Sequence, residues 1–274
     1  MADRNTHALG FTGFMNAYVL TKDDRFLDCW RRQIAAINAQ GKMIDGSMQY
    51  PRMFGDDGWY SFTPSPYNSH AMEIYYLSMK EEDRVRVEGD GWLSYLAGNN
   101  PGYPVSALEG DLQRIRSRVA GLRADETTPD TRLADDPMAF NPASVSSLIQ
   151  LMLGGIHPGH RGSMLHCRLR FFDHLGHRAG LPDNVAVLVD LLDDESCGFT
   201  IVNTSQTAAR ELTVQAGGYA EHQFTSVTVD RQTTKLKGNS FRVSLDPGAG
   251  ARCVVQMNRF VNSPSMAFPW RRID

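Results

Sequence analysis

The hydrophobic period of the chain changes at about residue 160, and that change limits the folds open to it. Before it, apolar residues recur at spacings of three and four, the period of a helix with one buried face. After it they alternate in short runs, the period of a strand. A chain of 274 residues with 42% hydrophobic content can bury one large core or two modest ones. The expectation is an α+β, multidomain chain: helical hairpins over 1–160 and an antiparallel β-sandwich over 161–274.

The helical part alternates two kinds of segment. Leu9 to Leu20 is apolar almost all round, as a buried helix is. Arg25 to Gln40 is two-faced, with Phe26, Leu27, Trp30, Ile34 and Ile37 on one side and Gly41 as the stop. The pairing recurs. Asn68 or Ser69 is placed to cap a second apolar helix over 71–79. Pro104 to Arg123 repeats Leu108, Leu112, Ile115, Val119 and Leu122 at steps of three and four. Asn141, followed by Pro142, is placed to cap a last short apolar helix that ends at Gly154-Gly155.

The strand part starts at Leu165. Leu165, Cys167, Leu169 and Phe171 share one face, and His166, Arg168, Arg170 and Phe172 the other. Seven further segments follow at intervals near ten residues, separated by turns rich in Gly, Asn, Asp and Pro, the spacing of a sandwich. Cys29, Cys167, Cys197 and Cys253 lack any C-x-x-C spacing and read as buried thiols.

Charge excludes some functions. With 28 basic and 31 acidic residues, a net charge of −3 and no basic block, a nucleic-acid partner has no electrostatic support. Mean hydropathy is −0.35, and no apolar run approaches the roughly 20 residues that span a bilayer. The first residues lack the pattern of a secretory signal, so the expected location is the cytoplasm, or outside the cell if a leader precedes them. No G-x-S-x-G, phosphate loop or dinucleotide fingerprint occurs, and no cofactor is expected. His157 and His160 have the spacing of a metal pair but no acidic or cysteine neighbour, and read as an interdomain turn.

The stretch from Tyr50 to Met79 concentrates the chemistry. Asp56, Asp57, Trp59 and Tyr60 set acids beside flat rings, a combination suited to sugars, whose C–H faces stack on rings while carboxylates bind hydroxyls or move protons. The alternative is a surface turn, Gly55-Asp56-Asp57-Gly58, with both aromatics tucked back. Glu73 lies one turn inside an apolar helix, where burial would raise its pKa and suit a general acid. The alternative for Glu73 is a buried ion pair with an arginine such as Arg52. Asp45, Asp135 and Asp136 are fallback acids.

Hairpins of buried and two-faced helices, followed by a sandwich, resemble the (α/α) toroid, or six-hairpin, glycosidases and the toroid polysaccharide lyases. The segments that carry the resemblance are residues 9–34, residues 56–79, and the VNTSQ and GGYAEHQF stretches of the sandwich. It implies that loops entering the inner helices line a cleft, and that an oligo- or polysaccharide is the substrate. A glycoside hydrolase would use Asp56 or Asp57 as base or nucleophile and Glu73 as acid. Its two carboxyls would stand roughly 6.5–9.5 Å apart, or about 5 Å if one attacks directly. Tyr50, Arg52, Trp59, Tyr60, His70 and Asn141 would bind substrate. The alternatives are a uronate lyase, using Tyr50, Arg52, Tyr60, His70 and Asn141, and a non-catalytic carbohydrate-binding or assembly module. A full toroid needs about a dozen helices and five or six are legible. The chain is therefore part of a longer enzyme, or a homo-oligomer completes the barrel.

Overall fold

The computed structural model describes residues 6–128, 141–157 and 164–271. The fold is α+β, with seven α-helices among the described residues and strands in antiparallel sheets. Helix α1 (Thr6–Thr21) and α2 (Arg25–Asn38) form a hairpin. Leu27, Trp30, Ile34 and Ile37 of α2 are buried at steps of three and four, so one face closes on the core. Two small β-hairpins follow, β1 (Lys42–Ile44) with β2 (Ser47–Gln49), and β3 (Met53–Gly55) with β4 (Gly58–Tyr60). Next come α3 (Ala71–Ser78), α4 (Glu81–Arg84), α5 (Gly91–Leu96), α6 (Tyr103–Ala124) and α7 (Ser146–Leu153).

The first helical core joins Met15 and Val19 to the buried face of α2, to Tyr67, Ala71, Ile74 and Leu77, and to Phe260 from the far end of the chain. Asp83 is fully buried beside it. Arg31 donates to both its oxygens, at 3.1 and 2.6 Å, Arg86 adds 2.9 Å and Ser78 adds 2.6 Å. Burial pushes the Asp83 carboxyl up, but these donors outweigh it and hold it below its ordinary value. An acid in a short charged helix thereby locks α4 to α2.

Two helix starts differ from the sequence expectation. His70, not Asn68 or Ser69, precedes α3, in the left-handed conformation at φ 62°. The last helix begins at Ser146 rather than at Asn141, because Asn141 turns locally: its Oδ1 accepts from Ala143 N at 2.9 Å and its carbonyl from Arg118 at 2.9 Å. The stop is as expected, with Gly154 left-handed at φ 55°.

A five-stranded sheet takes β13 (Gln232–Gly238), β12 (Gln223–Val229), β15 (Gly250–Asn258), β10 (Ser196–Asn203) and β9 (Val185–Leu192) in that order. A four-stranded sheet takes β14 (Ser240–Leu245), β11 (Arg210–Ala216), β7 (Leu169–Asp173) and β8 (Arg178–Ala179). Both contribute to one core that includes Phe171, Phe199, Val214, Phe224 and Val255, and α7 adds Leu153 to it. Three cysteines are buried, Cys29 is partly exposed, and all four are free. Around β7 and the two-residue strand β6 (His166–Cys167), His166, Arg168 and Phe172 are buried as fully as the opposite face. Phe268 and Trp270 cover Phe172, with ring centroids at 6.0 and 5.9 Å. The boundary proposed at residue 160 lies outside the described residues.

Candidate functional site

The β3–β4 hairpin explains where the two aspartates go. Gly55 pairs with Gly58, so Asp56 and Asp57 form its tip, and both are exposed. Gly58 takes φ 92°, the conformation that a tight turn returning to a strand demands of glycine. Trp59 packs back on the first helical core and meets Phe54 edge-on at 5.0 Å. Tyr60 is half-buried, and its hydroxyl has no partner among the described residues. Tyr50 bridges to Thr63 through backbone bonds of 2.8 and 2.9 Å. Arg52 spends its guanidinium on the same loop, reaching Thr63 Oγ1 at 2.8 Å, Ser65 O at 2.7 Å and Pro66 O at 3.2 Å. It does not pair with Glu73. The stretch is an internally tied platform whose acids face outward.

Glu73 lies in the first turn of α3 with its side chain 16% exposed, and His70 Nδ1 stands 3.3 Å from its Oε1. Burial raises the carboxyl's pKa, but the His70 imidazole, with help from His166, more than offsets that, and the net shift is downward. The expectation of a raised pKa at Glu73 is therefore corrected. The carboxyl is held in its ionised form, suited to a base or a nucleophile more than to an acid.

Glu73 and His70 border an open cleft of about 440 Å³, with Asn68, Glu88 and Asp90 around it. Asp90 is committed to capping α5, accepting from Trp92 N at 2.9 Å and Leu93 N at 3.0 Å. A neighbouring cleft of about 400 Å³ shares Val87 to Asp90 with the first and adds Glu81 and Arg84. A third, of about 300 Å³, shares Glu81 and Arg84 with the second and Met72 with the first. It is walled by Tyr75, Tyr76 and Trp92 and bounded by Asp193 and Asp194 at the β9–β10 turn. Linked by these shared lining residues, the three neighbouring clefts are taken together as a trough. No residue of the β3–β4 hairpin lines it, nor do Tyr50, Arg52 or Asn141.

Tyr76 is buried and donates to Gly154 O at 2.7 Å, and the Arg168 guanidinium sits 4.7 Å from its ring centre. Asp193 accepts from Glu195 N, Ser196 N and Ser196 Oγ at 2.5–2.9 Å. The Trp92 indole N–H has no partner among the described residues. No family model, curated protein or solved structure matches this chain.

The sequence reading passed over Trp92, Arg84, Asp193 and Asp194. A signal for Trp92 was present: Asp90 before Gly91-Trp92-Leu93 is a cap ahead of an apolar run. Asp193 and Asp194 close a strand-like run in the sequence, and their place beside α3 is tertiary. Asp45 is exposed in the β1–β2 turn, and His157 is exposed. Asp135, Asp136 and His160 lie outside the described residues. No group of three or more His, Cys, Asp or Glu placed to hold a metal occurs among the described residues.

Proposed function

We propose that the protein is carbohydrate-active and hydrolyses a glycosidic bond of an oligo- or polysaccharide in this trough. In this reading the two sheets form the β-sandwich of a toroid-type enzyme, and the helical hairpins form part of the toroid wall. One observation carries the reading: a part-buried carboxylate, held ionised beside a histidine, borders an open cleft that adjoins one lined by the half-buried Tyr75. The half-buried Tyr75 ring supplies stacking area for a sugar face, and the ionised Glu73 acts as base or nucleophile. Asp56 and Asp57 stand on the exposed hairpin tip, so the partner acid is reassigned to Glu88. It lines the same cleft as Glu73 and makes no hydrogen bond or ion pair with another described residue.

A second reading has support of its own: Glu88 is exposed and the cleft is open, which suits binding without turnover. Incubation with a panel of neutral and acidic oligosaccharides separates the possibilities. Release of reducing ends, lost in Glu73→Gln and Glu88→Gln but kept in Asp56→Asn and Asp57→Asn, is the expected result. An unsaturated, ultraviolet-absorbing product would identify a lyase instead. Binding without product would leave the carbohydrate-binding module, and neither binding nor product would remove the carbohydrate reading.

A further inference from the structure

Helix α6 presents an apolar seam that the described chain leaves largely open. Val105, Leu108, Leu112, Ile115, Val119 and Leu122 follow one another at steps of three, four, three, four and three. That is an a/d heptad pattern, the repeat that packs one helix against another along its whole length. Val105 is 63% exposed and Leu112 51%, Leu108 and Leu122 are also exposed, and Ile115 and Val119 are half-buried. A lone surface leucine needs no explanation, but an unbroken seam on a 22-residue helix does.

The flanks of the seam differ. On the g side Asp111 is buried, accepting from Ser147 N at 3.0 Å and Ser144 Oγ at 2.6 Å, and Arg118 is tied to the carbonyls of Asn141 and Ala143. The segment leading into α7 closes that side. On the e side Glu109, Arg116 and Arg123 are exposed and make no ion pair with another described residue. Charge is thus polarised along the open flank, acidic toward the N-terminus and basic toward the C-terminus.

We propose that two copies of this chain associate through α6, packed antiparallel along this seam. Reversal sets Val105 against the partner's Leu122, Leu108 against the partner's Val119, and Leu112 against the partner's Ile115, so every a position meets a d position. It also brings open flank to open flank, with Glu109 facing the partner's Arg116 and the reciprocal pair formed by symmetry, as a two-fold interface requires. A parallel pair would set the closed g flank against the open one and Arg118 beside the partner's Arg123. The self-complementary charge pattern is what selects a second copy over an unrelated helix. α6 is already folded against α5 and α7, so pairing does not bear the cost of ordering the helix.

Sedimentation equilibrium of the whole chain at about 10–100 µM tests the proposal. The wild type is expected to dimerise and Leu112→Asp to be monomeric with an unchanged circular dichroism spectrum. Glu109→Arg and Arg116→Glu change only exposed side chains. Each alone is expected to weaken the dimer about tenfold, because each sets like charges together twice, and the double charge swap to restore it. A monomeric wild type, a dimer that survives Leu112→Asp, or a double swap no better than either single change would overturn it. The test is independent of the carbohydrate reading.

Discussion

His166 is buried on β6, and its Nε2 has no partner among the described residues. Burial depresses its pKa from 6.5 to about 4, against a small opposing pull from Glu73. Between those values the unfolded chain holds a proton that the folded chain refuses, so stability falls as the solution is acidified. Glu73 acts in the same direction: its folded pKa lies below the ordinary value, and its contribution is lost as pH drops through that lowered pKa. His222, buried with Nδ1 accepting from Phe260 N at 3.0 Å, is also depressed by burial. For His166 alone the difference amounts to about 3 kcal/mol across the whole window. His166→Leu is expected to remove that part of the decline between pH 6.5 and 4 while the His222 part remains. Urea unfolding at a series of pH values checks this, and identical slopes for variant and wild type would refute it. Conversely, Glu73→Gln loses its charge-assisted bond to His70, and a cost of about 1 kcal/mol near neutral pH is expected, shrinking at acid pH.

The β3–β4 hairpin shows how an element fixes what its residues can do. Its tip needs a left-handed residue after Asp57, and Gly58 supplies it. Gly58→Ala is expected to cost about 1 kcal/mol or more, whereas Asp56→Asn and Asp57→Asn, exposed in the turn, stay within about 0.5 kcal/mol. Thermal melts of the three variants make the comparison, and equal losses in all three would mean the tip is held by its carboxylates rather than by backbone geometry. The turn was readable in Gly55-Asp56-Asp57-Gly58; what composition could not say was that its residues do not line the trough. The same division holds elsewhere. α2, α3 and α6 and the seven runs from β9 to β15 follow from periodicity, because each buries one face against a neighbour in a regular way. α5 and the β1–β2 hairpin are too short to show a period. Asn141 misled because a capping residue and a local Asx turn use the same side-chain bond to a nearby backbone N–H. The neighbours of Glu73 were out of reach for another reason. His166 is 93 positions away in the chain and reaches α3 only because β6 pairs with β5 (Gly155–Ile156), directly after α7.

At the scale of the whole molecule the last strand returns to the first helices. Arg259, just beyond β15, donates to the Tyr76 and Leu77 carbonyls at 3.3 and 3.0 Å, satisfying the C-terminal end of α3 with a cation. Phe260 then enters the first helical core, 7% exposed, with its ring 5.3 Å from Tyr18 and 4.7 Å from His222. The α1–α2–α3 core is thus completed by a residue more than 180 positions from α3, and helices and sheets are joined by packing as well as by chain. Phe260→Ala removes a large side chain from that core, and a cost of about 3–5 kcal/mol is expected. The loss belongs mostly to the helical side, since Phe260 lies outside the core shared by the two sheets. Amide exchange should therefore quicken in α1, α2 and α3 of the variant and stay slow in β10 and β15. Uniform acceleration across both regions would show instead that helices and sheets unfold as one unit, with Phe260 part of a single cooperative core.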